Sequence, residues 1–186
     1  MSLNVLLISD IAIKERTGLH SNVDPKLIYP EIKCAQDMYI EPLLGSALFN
    51  KLITDIANSA VTGVYQELIE KYIWDALMYY TLVELPIATS YQIWNKGVVR
   101  RSGNDTETVS RSELNDLANS FKDKAEFYAD RLRKHLRTKA SVSYPEYLNP
   151  GGTYEDVKPI HETFTMPVYL GGENCDCNWG LDYPHK

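Results

Sequence analysis

Apolar side chains recur at helical spacing over several stretches of the chain, and the breaks between those stretches set its organisation. From Leu3 to Ile13 the sequence is apolar and β-branched, and from Lys14 to Asn22 it is polar around Gly18, which reads as a short strand or helical turn followed by a loop. At Asp24-Pro25 the pattern sharpens. An Asx N-cap, proline at the first helical position, and then Ile28, Ile32, Ala35 and Tyr39 predict a helix over about 25–40. Pro42 and Gly45 are expected to interrupt it, and a second short helix follows over about 46–57. Beyond Val64, the positions Tyr65, Leu68, Ile69, Tyr72, Ile73, Ala76, Tyr80 and Val83 obey the i, i+3, i+4 rule until Pro86, which is expected to stop the helix.

The period then changes. Tyr91 and Ile93, the Asn95-Lys96-Gly97 turn, and Val98-Val99 form two β-prone runs around a glycine, predicting a hairpin over about 91–101. Ser110 and Glu113 fit the S-x-x-E capping box, in which each side chain satisfies the other residue's backbone amide. Leu114, Leu117, Phe121, Ala125, Tyr128, Leu132 and Leu136 mark a long helix ending near Lys139, with Arg131, Arg133, Lys134 and Arg137 at the negative end of its dipole. After Ser143, prolines and glycines punctuate a stretch without long periodicity, which cannot build its own core. The expected architecture is mainly α: an N-terminal segment (1–23), a small helical bundle with an inserted β-hairpin (24–148), and an extended C-terminal arm (149–186).

Composition adds a charge asymmetry. The chain has 186 residues, 44% of them hydrophobic, enough for one sizeable core, and a net charge of -6. Most of that charge lies in the arm, where Glu155, Asp156, Glu162, Glu173, Asp176 and Asp182 face only Lys158 and Lys186. Free-standing nucleic-acid binding is therefore not expected. The arm also carries Tyr154, Phe164, Tyr169, Trp179 and Tyr183, residues that gain most from burial, so it is expected to order against a surface, on a neighbour or on its own bundle. No apolar run reaches the length of a bilayer crossing, Leu3–Ile8 lacks the flanks of a signal peptide, and three cysteines make no disulfide framework. A protein made in a reducing cytosol, without membrane attachment, is the expectation.

Catalytic motifs are absent: no nucleophile elbow, phosphate loop, H-E-x-x-H or dinucleotide fingerprint occurs. His20, His135, His161 and His185 are scattered and read as solvated. Cys175-Asp176-Cys177 with His161 and His185 suggests zinc only weakly, because C-x-C lacks the usual ligand spacing, and exposed or interface thiols are the better reading. Cys34 reads as a small hydrophobe on the core side of its helix. Glu67, Glu70 and Lys71, with Lys122, Asp123, Lys124 and Glu126, read as solvated helix faces. Tyr72, Tyr79 and Tyr80 read as core, whereas Trp74 lies off the apolar stripe and hints at a partner surface.

Taken in order, Ile32-Lys33-Cys34-Ala35-Gln36, Tyr39-Ile40-Glu41-Pro42-Leu43-Leu44-Gly45, then Leu48 and Leu52, the sequence resembles the head-tail connector (adaptor, head-completion) proteins of tailed bacteriophages. The variety in phages of gut Bacteroidetes, including the crAss-like group, is the nearer likeness. It extends through Asn95-Lys96-Gly97-Val98, Phe127-Tyr128, Arg131-Leu132 and Tyr144-Pro145-Glu146-Tyr147, covering roughly 24–148. The resemblance implies a structural virion protein without catalytic residues, metal or cofactor. Its copies would form a twelve-membered ring below the portal protein in the particle neck, extend a channel through which genomic DNA passes without sequence-specific binding, and present a platform to the next neck or tail protein. On that reading Tyr91, Ile93, Trp94, Val98, Val99, Arg100 and Arg101, with Tyr154, Phe164, Tyr169, Trp179 and Tyr183, are the candidate inter-subunit or portal contacts. The alternative is a cytosolic helical adaptor or regulator that binds one protein through its C-terminal arm.

Overall fold

The structure, a computed structural model, describes residues 5–95, 97–100, 110–148 and 157–159. Its first element settles the choice between a short strand and a helical turn in favour of a helix. Helix α1 (Asp10–Arg16) begins where the Ser9 side chain accepts the Ala12 amide, and it occupies part of the stretch expected to be loop. One hydroxyl at the cap outweighs the β-branched character of Ile11 and Ile13.

Helix α2 (Pro25–Ala35) starts as its sequence predicts, with the Asp24 carboxylate accepting the Lys26 amide at 3.0 Å. It does not stop at Pro42. A π-turn (Gln36–Ile40) carries it into α3 (Glu41–Leu44), so Pro42 falls in the first turn of a new segment, where a missing N–H costs little. The break comes at Gly45, whose φ of 76° and ψ of 153° suit glycine alone. Helix α4 then runs over Ser46–Ala57, the range its periodicity gives.

The next rod is built the same way: α5 (Gly63–Leu68), a π-turn (Ile69–Ile73), and α6 (Trp74–Ser90). Here the expectation for Pro86 is corrected, since the helix continues one turn past it to Ser90. Packing decides this, because α6 lies along both α2 and the long helix α7 (Arg111–Ser143), and Leu82 and Leu85 bury around the proline. The Thr89 hydroxyl also donates to the Leu85 carbonyl at 2.9 Å, satisfying an acceptor beside the proline.

Helix α7 opens with the expected capping box, the Ser110 amide donating to Glu113 at 2.8 Å and the Glu113 amide to Ser110 Oγ at 3.3 Å. It outruns the expected end near Lys139 by one turn and is followed by the short α8 (Pro145–Leu148). The bundle is mainly helical, and its packed body has no strand among the described residues. A short antiparallel ladder, β1 (Tyr91–Trp94) with β2 (Gly97–Arg100), lies beyond the end of α6, with Ile93 opposite Val98 and Trp94 opposite Gly97.

The core joins all the helical layers. Ile28, Ile32, Leu44, Leu48, Leu52, Leu68, Ile73, Leu132 and Leu136 are fully buried. Each such side chain contributes about 1.5–3 kcal/mol relative to an exposed one. Two polar features weave the N-terminal segment in: buried Gln36 accepts the Leu7 amide at 2.9 Å and donates to the Val5 carbonyl at 3.2 Å. The fold also reaches into the C-terminal region. Ser46 donates its amide to the Val157 carbonyl at 2.8 Å and accepts the Val157 amide on its hydroxyl at 2.9 Å, while the Pro159 ring lies 2.6 Å from where a β-carbon on Gly45 would stand.

Candidate functional site

The first candidate surface is a groove of about 630 Å³ where the end of α6 meets the start of α7 and the loop after α1. Leu19, Leu82, Leu85, Leu114, Leu117 and Phe121 make it apolar. The helical spacing of Leu114, Leu117 and Phe121 turns one side of α7 towards α6, and the continuation of α6 past Pro86 supplies the opposite wall. Two cations stand on it. Lys124 Nζ lies 5.5 Å from the Phe121 ring centre and 5.9 Å from that of Tyr79, and among the described residues no carboxylate lines the groove.

Leu117 on its wall is half exposed, and elsewhere the described surface exposes other large apolar groups, among them Ile87 and, at 66% exposure, Phe127. A ring that far in solvent is a candidate contact rather than a core residue. Tyr91, at the junction of α6 and the ladder, is likewise partly exposed, its amide capping the Ile87 carbonyl. Of the residues expected at an interface, Tyr91 is the one whose side chain is described, and it follows Ser90 of the groove in the chain. The side chains of Ile93, Trp94, Val98, Val99 and Arg100 lie outside the described residues, as do Arg101, Tyr154, Phe164, Tyr169, Trp179 and Tyr183, the C-terminal arm apart from residues 157–159, and the Cys175, Cys177, His161 and His185 group.

A second concavity, of about 690 Å³, lies under the N-terminal segment between Tyr29, Ile69 and Trp74. It explains Trp74. The expectation of a partner surface there is corrected, because the indole N–H donates to the Leu7 carbonyl at 2.6 Å and the Arg16 guanidinium covers the ring at 4.8 Å. Arg16 also meets Asp75 at 4.0 Å, and Arg131 of α7 meets the same carboxylate at 3.3 Å. Burial pushes the Asp75 carboxyl up from its ordinary range and the two arginines pull it back. The group is a clasp between α1, α6 and α7.

Two further expectations change. Cys34 is not a core side chain but half-buried, its thiol 3.2 Å from the Met38 sulfur, with burial and the nearby acids Glu84, Glu31 and Asp37 holding its pKa up. His135 is not solvated: it stacks on Tyr72 at 4.0 Å, and its Nε2 lies 3.2 Å from the hydroxyl of buried Tyr144. Burial lowers the His135 pKa, with Lys139 and Arg131 adding to the effect and Glu67 opposing it. The Tyr72, Tyr79 and Tyr80 reading fits the structure, Tyr80 being buried and stacked on Tyr39 at 4.2 Å. The Tyr39 hydroxyl donates to Glu84 at 2.9 Å, and burial with that carboxylate pushes its pKa up to about 12. Glu67 and Lys71 pair at 2.7 Å on the outer face, as a solvated helix surface does.

Among the described residues no three His, Cys, Asp or Glu side chains are grouped to hold a metal ion, and no helix is long and apolar enough to cross a membrane. The fold and its surfaces thus describe a helical bundle with an apolar, cation-bearing groove. The profile of a family of unknown function, DUF6712, matches residues 40–156, and the chain belongs to that family. No curated protein and no solved structure matches it.

Proposed function

We propose that this chain is a structural virion protein: a subunit of the head-to-tail connector ring of a tailed phage, lying below the portal and joining it to the next neck or tail protein. The observation that carries the reading is a helical bundle with a closed core that leaves large apolar groups facing solvent, among them Ile87, Tyr91, Leu117 and Phe127, with Leu117 lining the apolar groove between α6 and α7. A ring subunit needs such groups, because each copy must bury a surface on the next while its own core stays closed. The order of motifs from Ile32 to Tyr147 supports the same class.

On this reading the helices form the wall, and the ladder of β1 and β2 is an inserted hairpin arm. Two short strands are marginal in water unless they dock, so Tyr91, Ile93, Trp94, Val98, Val99, Arg100 and Arg101 meet a neighbouring copy or the portal. The C-terminal arm with Tyr154, Phe164, Tyr169, Trp179 and Tyr183 completes the contacts of the assembled ring. A near-neutral bundle suits a channel through which DNA slides, since lysines fixed against phosphates would add binding energy. Mass spectrometry of purified virions tests this. The chain should appear at a fixed ratio to the portal protein, and particles that are complete without it would refute the reading.

A further inference from the structure

We propose that His135 is a pH-sensitive pin: uncharged, it fastens the turn at Tyr144, where the chain leaves α7, to the start of α5, and on protonation it releases that turn. Three elements build the pin. On α7, His135 stacks on Tyr72 of the second π-turn with ring centres 4.0 Å apart, and its Nε2 lies 3.2 Å from the Tyr144 hydroxyl. That hydroxyl lies 3.4 Å from the Val64 carbonyl, in the first turn of α5. A carbonyl only accepts, so the Tyr144 proton goes to Val64 and the hydroxyl oxygen takes the Nε2 proton of a neutral imidazole. Burial pushes the Tyr144 pKa up to about 12, which keeps its proton in place. Every polar atom in this chain of contacts is served without a charge on the imidazole.

The surroundings oppose such a charge. His135 is half-buried and in contact with two tyrosine rings, Tyr72 and Tyr144. Arg131 and Lys139 stand four residues before and after it on the same face of α7, and like charges at that spacing repel. Arg131 also lies over the Tyr72 ring, 5.0 Å from its centre, so a charged His135 would share that ring with a second cation. Among the described residues one carboxylate acts on the imidazole, Glu67 of α5, and it is already paired with Lys71 at 2.7 Å. A proton taken up in mildly acid solution is therefore best accommodated by swinging the imidazole into water. That movement gives up the stack on Tyr72 and the bond to Tyr144 together. Proton linkage then makes opening of the turn more frequent as the pH falls. The pin does not depend on the connector reading, which virion composition judges separately.

The test is hydrogen exchange by mass spectrometry on the full chain, stepped from about pH 7.5 to about pH 5.5 across the ordinary histidine range, with rates corrected for their intrinsic pH dependence. Protection of peptides covering 141–148 should fall about fivefold over that range while peptides from α2 and α4 keep theirs. His135→Gln, which retains a neutral donor, should abolish the fall. Lys139→Gln, at an exposed position, should move its midpoint to higher pH by removing a neighbouring cation. Equal protection across the range, the same fall in His135→Gln, or a midpoint that Lys139→Gln leaves in place would overturn the proposal. A fall shared equally by α2 and α4 would overturn it too, because acid would then act on the whole bundle and not on the pin.

Discussion

At the residue scale, a few side chains hold the segments that periodicity does not explain. Gly45 is the clearest. Its backbone conformation is open only to glycine, and a β-carbon there would also strike Pro159. Gly45→Ala should therefore destabilise the fold by about 1–3 kcal/mol in denaturant titration, from the backbone alone. Adding Pro159→Ala should recover only the steric part. Trp74→Phe removes the donor to Leu7 while keeping the ring, and should cost about 1 kcal/mol and speed hydrogen exchange in residues 5–8. His135 gives a pH dependence whose sign is fixed by burial. Because its folded pKa lies below the unfolded value, the unfolded chain binds the proton more readily, and stability contributed above pH ~6.5 is lost as the pH falls below it. His135→Gln should flatten the part of the melting-temperature profile that falls on acidification through that range.

At the element scale, most helices were legible and their ends were not. Asp24-Pro25 and Ser110-Glu113 mark their starts because a cap is a local interaction between residues two or three apart. Pro42 and Pro86 misled because the cost of a proline is local while the gain that offsets it is not: a π-turn before Pro42, and packing on α7 around Pro86. The α1 helix was left open between a strand and a helical turn, since its two buried residues, Asp10 and Ile13, carry too short a period to read. Helix α7 is the element on which the bundle rests. Leu132→Ala, which removes a side chain with no exposure, should cost about 2–5 kcal/mol by chemical denaturation. Ser110→Ala should cost about 1 kcal/mol, with faster hydrogen exchange confined to the first turns of α7.

At the scale of the whole molecule, the sequence shows that there is a helical body and an acidic, aromatic arm, but not where they meet. The groove was invisible because its walls come from three separated stretches, around Leu19, Leu85 and Leu117, that no spacing rule connects. The return of Val157 to Ser46 was invisible for the same reason, being a pairing of residues 111 apart in the chain. Trp74 was misread because its partner, a backbone carbonyl of the N-terminal segment, leaves no mark in composition. What was legible is the pairing of a helical body with an acidic, aromatic arm, and that pairing is what the proposed connector role accounts for. An electron-microscope reconstruction of the phage particle neck tests it most directly. Copies of this bundle should form one closed ring beneath the portal, with the strands at 91–100 at a subunit boundary. A neck traced completely without this chain would contradict it.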